Sequence, residues 1–382
     1  MNQNYVTRAH YEVLDGLRGV AALLVVAFHL FETYSGNHFN QIINHGYLAV
    51  DFFFVLSGFV IGYAYDGRNM TAGEFLKRRV IRLWPMLIAG TVIGSLLFYF
   101  SASSACPNVE NTEWWQLLLV TAVCCTLLPL PVGCDCRGWG ETNPLNGPAW
   151  SLQWEFVANI LYVFVFRRCR LRLLAVCVAV FGVLTVLLTM NIDIFGLLAE
   201  RSRSAYTVIG GWSLTSDQIY VGASRLLYPF FAGLLLSRIG FTLKIPNGFL
   251  WCSAAVAALL CMPYAGTEAC QWTNGLYECL SIVILFPLIV AAGAGSKVTG
   301  KKASALCKFF GDISYPLYIS HYPLIYMQVA WVNRHPDSPL GVHILVGVSV
   351  FVLAIANAYA CMKLWDIPVR RYLAARLSGG RK

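Results

Sequence analysis

Charge is what this sequence has least of. Asp, Glu, Lys and Arg make up 12% of its 382 residues, about half the roughly 25% of ordinary soluble domains. No polar stretch is long enough to fold as a separate soluble module, so a single domain over 1–382 is expected. The first 16 residues hold Arg8, His10, Glu12 and Asp15 and contain no cleavable apolar leader, which leaves targeting to the first apolar helix. The loops assigned below to the outer face have no Asn-x-Ser/Thr acceptor; Asn69-Met70-Thr71 falls on the inner side, as suits a bacterial cytoplasmic (inner) membrane. No histidine stands near Cys134-x-Cys136, so no metal site is expected. No internal repeat of the kind many transporters carry is visible.

In place of charge there are apolar runs of roughly 18–22 residues, enough to cross a hydrocarbon core of about 30 Å. The expected fold class is therefore all-α, a polytopic transmembrane protein. Its spans are expected at about 17–34, 46–65, 80–100, 148–166, 173–190, 218–237, 249–265, 276–292, 313–332 and 342–364. With the N- and C-termini cytoplasmic, 23 of the 28 Lys and Arg residues fall on the inner side. Arg137, Arg201, Arg203 and Arg334 fall outside, and Arg225 lies within a span. That skew is the positive-inside pattern. It requires the further apolar stretch 114–131 to be re-entrant, since a full crossing would carry Arg167–Arg172 outside. The net charge of +9 therefore reports topology, and no nucleic acid is expected as a partner.

Of 13 cysteines, Cys169, Cys177, Cys252, Cys261, Cys307 and Cys361 sit in or near spans, where a free thiol behaves as a small hydrophobe. Cys106, Cys134, Cys136, Cys270 and Cys279 sit on or near the outer face, where an oxidising compartment allows one or two disulfides pinning 101–147. Spacing does not give their pairing.

Ionisable side chains at membrane depth are costly and are candidates for function. Arg18 and His29 on the first span are eleven residues apart, hence within roughly 20° of one stripe and about 16 Å apart along the axis. Arg18 is either a topogenic charge or a donor-binding one, and His29 either a packed or a catalytic imidazole. Asp51 enters the second span at a depth similar to that of His29. It can orient that imidazole or pair with an arginine. Arg79 and Arg82, at i and i+3, share a face at the inner end of the third span, with Pro85 just above. They are either positive-inside charge or a clamp for the phosphates of a cytoplasmic donor. Ser151 and Glu155, at i and i+4, share another face, with Glu155 expected near the His29 level. Arg225, Tyr318 and His321 form a weaker set that can serve an acceptor; otherwise Arg225 pairs with a carboxylate or binds an anionic ligand, and Tyr318 and His321 make a buried polar cluster. Gly90-x-x-x-Gly94 is read as close helix packing.

These residues are similar to the motifs of the acyltransferase-3 family of integral membrane acyltransferases, the polysaccharide O-acetyltransferase type. The carriers are Leu14-Asp-Gly-Leu-Arg18 through His29, Val50-Asp-Phe-Phe-Phe-Val-Leu-Ser-Gly58, Lys77-Arg-Arg-Val-Ile-Arg-Leu-Trp-Pro85, Trp150-Ser-Leu-Gln-Trp-Glu155 through Tyr162, and Ile313-Ser-Tyr-Pro-Leu-Tyr-Ile-Ser-His321. The resemblance implies that Arg18 and His29 form the family's Arg-x10-His pair, that Arg79 and Arg82 belong to its arginine motif, and that Glu155 belongs to its Trp-Ser-Leu-x-x-Glu motif. It further implies acetyl-CoA as co-substrate with no bound cofactor.

The expected function is thus a membrane O-acyltransferase, with acyl-CoA and a carbohydrate as partners within the lipid bilayer. His29, Asp51 and Glu155 are the expected catalytic residues, and Arg18, Arg79 and Arg82 the donor-binding ones. Ser151, Tyr162, Arg225, Tyr318 and His321 are expected to serve the acceptor or support the site. Some family members append an esterase-like domain, so a separate esterase-like or glycan-export partner is an open expectation. Two rivals stay open: acyl transfer to a small lipophilic alcohol such as a macrolide, and transport of an anionic lipid-linked sugar.

Overall fold

A computed structural model describes residues 11–379 apart from 36, 200, 202 and 203; Arg8, Arg203, Arg381 and Lys382 lie outside the described residues. Those residues form helices and loops, with no strand among them. In chain order the helices are α1 (Glu12–Glu32), α2 (Ala49–Tyr65), α3 (Ala72–Leu96), α4 (Trp114–Cys125), α5 (Ala149–Leu161), α6 (Leu171–Thr189) and α7 (Ser216–Ile239). There follow α8 (Gly248–Cys261), α9 (Trp272–Leu280), α10 (Phe286–Gly295), α11 (Lys301–Ser320), α12 (Tyr322–Arg334), α13 (Leu340–Cys361) and α14 (Ile367–Gly379). Short π-helical turns run α5 on to Phe166, α9 into α10 and α13 into α14.

Eight of these helical stretches, among the described residues, are long and apolar enough to cross a membrane. Two of the ten expected spans differ. The run expected at 249–265 is helical only over the 14 residues of α8, about 21 Å by helical rise. The span expected at 313–332 is two helices, broken at His321. Pro323 explains the break: it has no N–H to give the carbonyl four residues back. That carbonyl, Ile319 O, accepts instead from Asn146 Nδ2 at 2.7 Å, and Ser320 O accepts from Asn357 Nδ2 at 3.2 Å.

The bundle has two distinct ends. One gathers the turns at 66–71, 167–170, 240–247 and 296–300 together with α14, and is called the basic end here. Arg167 crosslinks it by donating to Met70 O at 2.5 Å and Arg68 O at 2.7 Å. At the opposite end His45 reaches Met262 O at 2.7 Å, and Arg334 reaches Phe100 O at 3.3 Å. The stretch 114–131 leaves and returns at that opposite end. α4 is 12 residues long, about 18 Å, and Leu145 comes back against Gly94 near the end of α3.

The segment 97–148 at that opposite end is pinned by a buried arginine. All 13 cysteines are free here, and none of the bridges allowed for above is present. Cys106, Cys124 and Cys136 pack with Phe98, Val109 and Leu117 as small hydrophobes, and burial pushes the Cys136 thiol up to about 12. Arg137 is 1% exposed and donates to Pro144 O at 2.5 Å and Ser101 Oγ at 2.6 Å. Its guanidinium lies 3.5 Å from the Tyr326 ring centre.

Small residues set how closely the helices approach. A Cβ on Gly58 of α2 would sit 1.8 Å from Phe230 O of α7, and one on Gly233 of α7 would sit 2.0 Å from Val55 O. The α2–α7 contact can form only at glycine. Gly90 and Gly94 do pack closely, but on two different neighbours, Ile319 O and Leu145 O.

Candidate active site

Two cavities penetrate the bundle from its two ends. The one at the end opposite the basic end, called the outer cavity here, has about 740 Å³ and is walled by His29, Glu32, Tyr47, Glu141, Trp150 and Tyr322 among others. The one towards the basic end, called the inner cavity here, has about 230 Å³ and is walled by Arg18, Ser57, Arg79, Arg82, Ser151 and Glu155 among others. Val50 and Tyr318 line both, so these two side chains form the partition. Tyr318 is held by a 2.7 Å hydrogen bond between its hydroxyl and Ser151 Oγ, and its ring meets Phe53 edge-on at 5.4 Å.

His29 stands one turn before the outer end of α1. Its Nδ1 lies 2.8 Å from Glu32 Oε2. A carboxylate only accepts, so Nδ1 carries a proton, and in the neutral ring Nε2 is then the atom with the free lone pair. The ring stacks on His321 at 5.5 Å between centres and 28° between planes, and Tyr322 meets it edge-on at 4.8 Å. His321, in the break between α11 and α12, is wholly buried. Its Nδ1 donates to Tyr318 O at 2.9 Å and Leu317 O at 3.1 Å. Its Nε2 has no hydrogen-bond partner among the described residues. The His321–Tyr318 pair thus connects the imidazole stack to the partition.

The carboxylate beside His29 is therefore Glu32, and two expectations are corrected. Asp51 does not face His29. It is fully buried and paired with Arg225, which donates to it at 2.7 Å through Nη2 and 3.2 Å through Nε. Arg225 also donates to Tyr47 O at 2.6 Å and Gly210 O at 3.2 Å. The glycine-mediated α2–α7 contact places these two charges together. Glu155 does not line the outer cavity either: it faces the inner one, accepting from Arg79 Nη2 at 2.5 Å and Ser57 Oγ at 2.8 Å. Tyr162 lies at the basic end, donating to Asp66 Oδ1 at 2.7 Å, where Asp66 also pairs with Arg238 at 2.7 Å. It borders neither cavity.

The expected arginines divide in the same way. Arg79 is buried and committed to Glu155, whereas Arg82 is exposed along the mouth of the inner cavity. Arg18 lines the same cavity and pairs with Asp15.

Two residues of the outer cavity escaped the sequence reading. Glu32 follows His29 at i+3, a spacing that puts both on one face, so a signal was present. Glu141 had none, because only the fold of 97–148 brings it inward. Tyr326 donates to Glu141 Oε2 at 2.6 Å, and burial pushes the Glu141 carboxyl up to about 8.

A site with a cation-lined pocket at one end and a histidine-lined pocket at the other suits transfer of a group across the partition. The family profile described as an acyltransferase domain matches residues 11–362. The chain belongs to the acyltransferase-3 family. It is 24% identical to the putative peptidoglycan O-acetyltransferase YrhL of Bacillus subtilis, over 91% of this chain and 53% of that protein. It is 25% identical to the O-acetyltransferase OatA of Staphylococcus aureus, over 82% of this chain and 50% of that protein. Protein 2 in the picA locus of Rhizobium radiobacter is 32% identical, over 39% of this chain and 79% of that protein. The chain thus spans about half the length of the two O-acetyltransferases it resembles. No solved structure matches it.

Proposed function

We propose that this acyltransferase moves an acetyl group from a cytoplasmic acyl-CoA to a hydroxyl of a carbohydrate of the cell envelope. The carrying observation is the pair of cavities, one arginine-lined and opening towards the basic end, one histidine-lined and opening opposite, separated by Val50 and Tyr318. The positive-inside rule supports a cytoplasmic basic end, which fits an integral protein of the bacterial inner membrane. The names of the Bacillus and Staphylococcus relatives support acetyl as the group, and that of the Bacillus relative supports a glycan as the acceptor.

In this reading Arg82 and Arg18 face the anionic donor, while Glu155 holds Arg79 in place through their ion pair. The thioester passes Tyr318 to reach the outer cavity. There His29 Nε2 takes the proton of the acceptor hydroxyl as its oxygen attacks the thioester carbonyl. The new C–O bond forms, the C–S bond breaks, and the proton returns to the departing thiolate to give free CoA. Glu32 fixes the tautomer and the ring orientation, as the carboxylate of a hydrolase triad does.

The test is release of free CoA from acetyl-CoA by the purified protein, with and without peptidoglycan fragments. Release that requires the acceptor and falls at least about a hundredfold in His29→Ala, while donor binding persists, supports the reading. His29→Ala turnover above about a tenth of wild type would overturn the base assignment. Movement of a sugar across the bilayer with no CoA released would favour transport.

A further inference from the structure

Outside both cavities, a third hollow of about 480 Å³ lies on the basic end between the start of α3 and α14. Arg78 and Arg82 of α3 and Arg370 and Arg371 of α14 line it, with Tyr65 and Ile367 among its apolar walls. It meets the inner cavity at Tyr65 and Arg82, which border both. Among the described residues one carboxylate is ion-paired to these arginines: Asp366, which accepts from Arg370 at 2.8 Å one turn earlier on the same face. Among the described residues Arg78, Arg82 and Arg371 have no ion-pair partner. Like charges gathered in one groove repel unless an anion joins them. Guanidinium forks suit the oxygens of a phosphate.

Position says which phosphate. A coenzyme A thioester carries its acyl group at one end of a flexible arm and a 3′-phosphorylated adenosine diphosphate at the other. With the pantetheine arm threaded through the inner cavity so that the thioester reaches past Tyr318, the nucleotide end has to emerge at that cavity's mouth, where this groove begins. Resting on the donor reading above, we propose that the α3–α14 groove binds the 3′-phosphorylated nucleotide of the acyl-CoA, with Arg370 and Arg371 on its 3′-phosphate. α14 is thereby part of the donor site, although it lies beyond the region matched by the family profile. The phosphate of an anionic lipid headgroup shares this chemistry, and the test separates the two.

Binding of acetyl-CoA and of acetyl-dephospho-CoA, which lacks only the 3′-phosphate, is titrated on the full-length protein in phosphatidylcholine nanodiscs and again with added phosphatidylglycerol. Wild type should bind the dephospho compound about ten- to a hundredfold more weakly, the worth of a charge-assisted phosphate contact. Arg370→Ala/Arg371→Ala should lose a similar factor on acetyl-CoA and show no preference between the two donors. Arg371→Ala alone spares the Arg370–Asp366 pair, and hence the fold, and should lose part of the preference. Equal binding of the two donors by wild type, or a preference that survives in the double variant, would overturn the proposal while leaving the donor reading intact. A variant effect confined to phosphatidylglycerol discs would overturn it in favour of a lipid site. Wild type that binds neither donor refutes the donor reading and this proposal with it.

Discussion

Replacing Asp51 by Asn removes a charge from the centre of the molecule and leaves its guanidinium partner behind. Arg225 and Asp51 have side-chain exposures of 1% and 0%, so the pairing is almost wholly removed from solvent. The three hydrogen bonds between them, at 2.7, 3.2 and 3.4 Å, would fall to those a neutral amide can accept. Breaking one side of such a buried pair typically costs about 3–5 kcal/mol, a large part of the roughly 5–15 kcal/mol that holds a protein folded. At about 2–4 °C per kcal/mol for a chain of this order of size, the apparent melting temperature in detergent should fall by on the order of 10 °C. A second variant separates structure from chemistry: Asp51→Asn/Arg225→Gln removes both charges and should recover most of the loss, with acyl transfer retained. Thermal unfolding followed by tryptophan fluorescence, alongside CoA release, reads both. If Asp51→Asn melts like wild type yet loses turnover, the pair is not what Asp51 is for, and a catalytic role for its carboxylate has to be restored.

Arg82→Ala should weaken acyl-CoA binding about ten- to a hundredfold with little change in the acceptor's half-saturating concentration, and Arg82→Lys should recover only part of it; direct titration of the donor decides. The Glu141 proton is held more tightly in the folded state, at about 8 against an ordinary 4.5, so its stabilising effect is complete below about pH 4.5 and is lost as pH rises through 8. Melting temperatures taken across that window should fall in wild type and fall less in Glu141→Gln; identical slopes would refute the assignment. Single-cysteine labelling should reach 167–172, 297–308 and the C-terminal segment from the cytoplasm and 132–147 from outside, and cytoplasmic labelling of 132–147 would reverse the orientation of the two cavities.

What the sequence determined by itself was the membrane class, the helical character and some of the charges that line the cavities. Apolar length and the cost of ionisable groups in hydrocarbon are one-dimensional signals, so Arg18, His29, Arg79 and Arg82 could be picked from the chain alone. So could the return of 114–131, which follows from where Arg167–Arg172 must lie. The break at His321 was written in Pro323, near the middle of the apolar run 313–332, but apolarity concealed it. Partner choice was decided only in three dimensions. Asp51 and His29 enter the membrane at similar depth, yet depth does not give azimuth. Gly58 and Gly233 draw α2 onto α7 and turn Asp51 towards Arg225, leaving His29 to its own neighbour Glu32. Likewise Glu155 faces Arg79 across the α3–α5 contact and looks into the inner cavity. Glu141, from a loop with no periodicity to read, is carried to the outer cavity by the buried Arg137 that pins its segment. Which residues are expensive in a membrane is a property of each side chain; which of them meet depends on how helix faces pack, and only the fold decides that.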